Sequence, residues 1–241
     1  ADFPARRITV NLAPADLPKE GPAYDLPIAL GILIASGQLV TDIKNALFIG
    51  ELSLDGRIRP VNGVLPKVLM ARKKHIDTIY LPFENGSEAA IIENISVYPL
   101  PDLLSLFRHL TKEVPIEPHP ITQFKDFEHE DDYEFDMKHV LGQNHAKRAL
   151  EIAAAGGHNI ILKGPPGSGK TLLARTLPSI LPHLTFEETL EVTKIYSVSN
   201  LLDRQTLITR RPFRSPHHTI SLAGLIGGSS NPKPGEISLA H

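Results

Sequence analysis

The sequence contains no cysteine. That absence excludes disulfides, thiolate metal sites and cysteine nucleophiles together, and it fits a reducing compartment such as the cytoplasm. A strong charge of one sign is also missing. The 25 Lys and Arg against 27 Asp and Glu leave a formal net charge of −2, which excludes a global basic field gripping nucleic acid but not a local patch. Long hydrophobic runs are scarce. Leu26–Ala35, the longest, is about half a membrane span and is interrupted by Pro27 and Gly31, so no membrane association is expected. No signal-peptide pattern opens the chain. What is there is an ordinary globular composition, 41% apolar and 22% charged over 241 residues, enough to bury a core without staples. The chain starts Ala1-Asp2-Phe3-Pro4 without Met and stops at His241 amid a motif, which reads as a piece of a longer protein.

The first half has the texture of a compact α/β module. Arg7–Leu12 alternates with β-branched residues, a strand signal. Asp25 is placed to cap a helix that carries Pro27 in its first turn and runs through Ile28–Ser36 to Gly37. Ala46–Ser53 and Arg57–Val61 flank Asp55-Gly56, a strong hairpin signal. Val64–Lys74 suits a helix with Val64, Val68 and Ala71 on one stripe and Arg72, Lys73 and Lys74 at its basic end. Thr78–Leu81 and Ile95–Tyr98 read as strands, Ser87–Ile92 and Leu103–Leu110 as helices. Helices mixed with a hairpin predict an α+β arrangement rather than a purely parallel sheet.

Between Lys112 and Glu134 the texture changes. Pro115, Pro118 and Pro120 come close together, and Glu128, Glu130, Asp131, Asp132, Glu134 and Asp136 place six acids in nine positions. Such a stretch repels itself and buries little, so 112–135 reads as a linker between a domain at 1–111 and another at 136–241.

The second half carries the strongest motif. Gly164-Pro165-Pro166-Gly167-Ser168-Gly169-Lys170-Thr171 fits the phosphate-binding pattern G-x-x-x-x-G-K-[ST] at every position. An apolar strand is expected before it at His158–Leu162, and a helix after it at Leu172–Leu177. Glycines let the backbone wrap closely around phosphates, and its N–H groups face the negative charge. Lys170 is expected to reach the β- and γ-phosphates of ATP and Thr171 to ligate Mg²⁺. Downstream, Arg210, Arg211 and Arg214 lie close to Phe213, His217 and His218. Arginines beside an aromatic suit phosphate and base contacts, and a structural loop is an equal alternative. The paired histidines lack a third metal ligand at recognisable spacing. Gly224–Ser230 is glycine-rich without the Lys-Thr of a second phosphate loop, and reads as a flexible loop.

Longer strings carry a resemblance. Upstream, Val140-Leu141-Gly142-Gln143 before Ala146–Ala153 resembles the Gly-Gln turn of AAA+ ATPases, which places adenine near Val140 and Leu141. Arg7–Asp16 followed by Lys19-Glu20-Gly21 resembles the amino-terminal domain of the ComM/YifB group, known as magnesium chelatase-like proteins. Phe213–His218 and Asn231–His241 resemble the AAA+ domain of that group and of the chelatase ATPase subunit. The resemblance implies an S5/Lon-protease-like α+β domain, incomplete at its start, followed by a P-loop AAA+ α/β domain, incomplete at its end. It also implies an ATPase with ATP and Mg²⁺ as cofactors, assembled with itself as a hexameric ring and moving DNA in branch migration.

The same resemblance argues against peptidase activity. The nucleophile of Lon falls on Ala23 and its base on Leu65. Lys67 lies about 200° around a helix from the base position, on another face, and Tyr24 does not rescue the dyad. No catalytic residue is expected within 1–241, because the Mg²⁺-activating acidic segment, the arginine finger and the sensor residues fall later in the family pattern. A chelatase motor subunit and a nucleotide-switched interaction module are the alternative readings.

Overall fold

A computed structural model describes residues 4–5, 7–12, 22–127, 133–202, 205–228 and 232–240. Parts of the resemblance and of the acidic run (13–21, 128, 130–132, 229–231 and His241) lie outside the described residues. The chain forms two compact units, Ala1–Gln123 and Phe124–His241.

In the first unit, helix α1 (Asp25–Ala35) buries Leu26, Leu30 and Leu33 at helical spacing and ends at Gly37, whose φ of 75° suits glycine. Asp25 is not its cap. It lies within the first turn and accepts from the Leu52 N–H at 3.3 Å, so it ties the helix to a strand instead. The expected strand over Ala46–Ser53 divides into β1 (Ala46–Phe48) and β2 (Glu51–Leu52), and only β2 enters the hairpin, with β3 (Ile58–Arg59). The turn at Asp55-Gly56 forms as expected, closed by Ser53 N–H to the Arg57 carbonyl. Helix α2 (Val64–Lys73) buries Val64, Leu65, Val68 and Ala71.

Strands β1, β4 (Thr78–Pro82) and β5 (Ser96–Leu100) form a sheet in that order, parallel throughout. The parallel sheet and the hairpin are separate sheets of a mixed α/β unit. Between β4 and β5, helix α3 is only Gly86–Ala89, shorter than its signal. Phe48, Tyr80 and Tyr98 sit in register across the three strands, with ring centroids 4.8 and 5.1 Å apart. Helix α4 (Leu103–Leu110), capped by Asp102 on the Ser105 N–H, lays Leu106 and His109 against this face. Residues 112–123, expected in the linker, are held to the first unit by bonds such as His119 N–H to the Val97 carbonyl and Thr122 N–H to that of Ala90.

Arg7–Leu12 is not a strand. It pairs with no ladder partner among the described residues, and Ile8 and Val10 are exposed. Alternation marks which face is apolar, but a strand also needs a neighbour's N–H and C=O groups.

The second unit is mostly helical. A 3₁₀ turn (Met137–His139) leads through Gly142 and Gln143, both at positive φ, into α5 (Asn144–Gly156). Helix α6 (Lys170–Thr176) passes directly into a second 3₁₀ turn, Leu177–Ile180. Helix α7 (Phe186–Val198) starts at a full capping box between Thr185 and Glu188. Helix α8 (Leu222–Ile226), the short ribbon β6 (Gly227–Gly228) with β7 (Lys233–Pro234), and α9 (Glu236–Leu239) follow. Gly224–Gly228 is thus helix end and ribbon rather than loop. Gly227 is required there: its φ is 93° and an added Cβ would strike the Lys233 carbonyl.

His158–Leu162 forms no ladder. Ile161 is 92% exposed and only Leu162 packs inward. A strand of a parallel sheet requires partners on its flanks, and no described segment of this unit supplies one. No helix among the described residues is long and apolar enough to cross a membrane.

Candidate functional site

The glycine-rich loop at Gly164–Thr171 is shaped by glycine at two positions that demand it. Gly167 and Gly169 have φ of 79° and 81°, a region that side-chain-bearing residues avoid. They turn the chain so that Lys170 becomes the first residue of α6. Gly164 faces Ser168, whose hydroxyl would lie 2.9 Å from an added Cβ. Pro165 accepts from the Ser168 N–H at 3.4 Å, which closes the turn. Pro166 and Gly167 form its exposed outer corner.

The Lys170 ammonium folds back over this loop. It donates to the carbonyls of Gly164 (2.9 Å) and Pro165 (2.7 Å) and to the Ser168 hydroxyl (3.3 Å). An ammonium has three donors and no acceptor, so all three face loop oxygens. Thr171 follows, exposed, in the first turn of α6.

The segment assigned to adenine lies on the same small core. Met137, Val140, Leu150 and Leu173 pack together, with Leu162 and Ile180 against them. Val140 is buried there, whereas Leu141 is 91% exposed. The pair therefore contributes one anchoring and one outward-facing apolar residue. Lys147 donates to the Val140 carbonyl, and Met137 N–H donates to the Ser179 hydroxyl at 3.0 Å. Neither Lys147 nor Ser179 carries a motif signal; a contact seven residues apart and one forty-two apart are invisible to local patterns.

The arginine-rich stretch divides. Arg214 makes two 2.6 Å bonds to Glu236, and each partner holds the other in its charged form, raising the Arg214 pKa and lowering that of Glu236. Arg211 bonds the Pro182 carbonyl at 2.8 Å and Glu188 at 3.1 Å. The Thr185 N–H and then Arg211 lower the Glu188 pKa. Arg210 lies over the Tyr133 ring, 5.5 Å from its centre. Two of the three arginines thus bind the second unit together, which sequence spacing cannot distinguish from a nucleic-acid contact. The His217 and His218 rings lie tilted with centres 4.1 Å apart, and His217 bonds the Thr219 hydroxyl at 2.7 Å. Among the described residues no group of three His, Asp or Glu is arranged to hold a metal ion.

At the positions where the resemblance expects a protease dyad, Ala23 offers only a backbone carbonyl, accepting from Gly50 N–H at 3.3 Å. Leu65 is fully buried. Lys67 donates to the Asn62 carbonyl at 2.8 Å, and burial pulls its pKa below the usual lysine range.

Comparison with known proteins agrees with both halves. The family model for magnesium chelatase, subunit ChlI, matches residues 136–241, and that for subunit ChlI of Mg-chelatase matches 1–85. The competence protein ComM of Haemophilus influenzae is 45% identical over 242 residues, covering 99% of this chain and 47% of that protein. The uncharacterized protein YifB of Salmonella typhimurium is 44% identical over 241 residues, covering 100% of this chain and 47% of that protein. Lon protease 2 of Bacillus subtilis is 29% identical over 105 residues, 44% of this chain and 18% of the protease. The chain spans about half the length of the curated ComM and YifB relatives it matches.

Proposed function

Since the chain belongs to the ComM/YifB-type, magnesium chelatase-like family of AAA+ ATPases, we propose that Gly164–Thr171 hold the phosphates of ATP with Mg²⁺. The observation that carries this is the Lys170 ammonium lying across a glycine-turned loop, on three neutral oxygens among the described residues. Those bonds give the ammonium no counter-charge, and a phosphate offers a negatively charged acceptor in their place, which adds ion-pair attraction to the hydrogen bonds. Lys170 would move onto the β- and γ-phosphates, Thr171 would face the Mg²⁺, and the N–H groups of Gly167, Ser168, Gly169 and Lys170 would line the cradle. Mg²⁺ supplies neutralisation of phosphate charge. Leu141, outward beside buried Val140, offers an apolar surface to adenine.

Hydrolysis belongs to the protein at its natural length. Phosphoryl transfer depends on positioning and charge stabilisation, and no water-activating acid or arginine finger is assigned within 1–241. Residues 1–241 alone should therefore bind ATP without turning it over, and steady-state phosphate release from them would overturn that. No peptidase activity is expected, because Ala23 and Leu65 carry neither a nucleophile nor a base.

The activity we assign to the whole protein is ATP-driven remodelling of DNA by a ring, as in branch migration. ChlI-like AAA+ proteins typically assemble as rings, and a hexamer of this chain's protein is the form proposed. DNA as the substrate rests on the resemblance to the ComM/YifB group, to which the competence protein ComM of Haemophilus influenzae belongs. With Arg211 and Arg214 held by Glu188 and Glu236, contact with DNA does not rest on them. A metal-chelation motor is the second reading, favoured by the match of residues 136–241 to the chelatase subunit.

The test is the ATPase rate of the full-length protein with and without single-stranded DNA, with Lys170→Ala beside it. DNA stimulation is expected, and Lys170→Ala should lower turnover by roughly a hundredfold or more. A rate indifferent to DNA would sink the DNA assignment and favour chelation or a nucleotide-switched module. A Lys170→Ala rate equal to wild type would sink the phosphate-loop reading itself.

A further inference from the structure

Ser179 lies in the 3₁₀ turn after α6 and uses its hydroxyl twice. It accepts from the Met137 N–H at 3.0 Å and donates to the Thr176 carbonyl at 2.7 Å. Thr176, 1% exposed, donates to the Leu173 carbonyl at 2.8 Å and lies 3.5 Å from the Met137 sulfur. Met137 in turn accepts from the Val140 N–H at 3.2 Å. A continuous chain of bonds therefore runs from the segment bearing Val140 and Leu141 to the helix that begins at Lys170.

We infer that Ser179 is a positioning residue that sets the spacing between the base-side segment and the phosphate loop, and so governs preference for an adenosine-bearing ligand over phosphate alone. This rests on the nucleotide reading above. A nucleotide spans both anchors, and its affinity depends on their being held at one separation before it arrives. A ligand of phosphate alone touches only the loop, and a change in that separation leaves it indifferent. Removing the hydroxyl frees a part-buried N–H and a carbonyl at the joint while leaving Gly164–Thr171 intact. The apolar contacts of Met137, Val140 and Leu173 would keep the segment nearby but let its register drift.

The experiment compares Kd for Mg-ATP and for magnesium tripolyphosphate in the full-length protein, as wild type, Ser179→Ala, Ser179→Thr and Thr176→Val. Ser179→Ala should weaken ATP about tenfold and tripolyphosphate less than about twofold. Ser179→Thr, which keeps the hydroxyl, should restore the wild-type ratio. Thr176→Val should move the ratio in the same direction by less. If Ser179→Ala does not fold, the ratio in Thr176→Val decides. Parallel loss of both ligands, or loss of neither, overturns the inference and leaves the nucleotide reading standing. A wild type that binds neither ligand overturns both.

Discussion

The first unit has a three-stranded sheet with an aromatic ladder across it and a helix laid on that ladder. The second has the sharper functional motif but, among the described residues, no ladder around the segment that leads into it. The contrast shows that two kinds of structure answer to two kinds of information. A phosphate loop is local: two glycines at positive φ, a turn and a helix start suffice, all within eight residues. A sheet is cooperative, because every strand finds the partners of its ladder hydrogen bonds on other strands. The motif can therefore stand fully formed where its strand does not.

The largest effect that would sharpen this contrast is in the core of the first unit. Leu106, fully buried under the aromatic face, is expected to cost about 2–5 kcal/mol when changed to Ala. Urea unfolding followed by tyrosine fluorescence would measure it. A loss under about 1 kcal/mol would mean that the helix α4 contact is dispensable and the first unit no better packed than the second.

A smaller effect is expected at Thr185, whose capping box starts α7. Thr185→Ala should lower the stability of the second unit by about 1 kcal/mol, read from helical circular dichroism during melting. The Glu188 carboxylate should stay in place, because the backbone N–H of residue 185 and Arg211 hold it in the variant as well.

The gentlest probe is pH. His109 accepts the Ile116 N–H at Nδ1 (2.8 Å), which leaves Nε2 to donate to the Tyr80 hydroxyl at 3.1 Å. Burial lowers its pKa, so the folded state prefers the neutral ring. The stabilisation is fully present above the unfolded histidine value of about 6.5 and is lost as pH falls from there through the lower folded value. The melting temperature of the first unit should drop over that window, and His109→Gln should flatten the drop. An equal slope in the variant would remove His109 from the account.

Much of this was legible in the letters. Pro27 and Gly37 bound α1, and Asp55-Gly56 marks the hairpin. Each is a residue whose own backbone or side-chain chemistry does the work. The errors share a cause as well. Arg7–Leu12 and His158–Leu162 have strand patterns without described partners. Gly224–Gly228 looked like slack chain, although Gly227 is there to let β7 approach. Arg214 looked like a hand for phosphate and proved to be clasped by Glu236, twenty-two residues away. Pairings of that range leave no local signature.

By itself the sequence determined the glycine-turned loop at Gly164–Thr171, the Gly-Gln turn before α5 and the resemblance to the ComM/YifB group. These are encoded in residue types that permit or forbid a backbone conformation, or that carry a donor where a ligand needs one. Only the tertiary structure decided which charges are free and which residues join the base-side segment to the loop. It paired Arg211 and Arg214 with carboxylates and made Ser179 the link between Met137 and Thr176. The reason is that a side chain's chemistry is fixed by its type, while its partner is fixed by how distant segments pack.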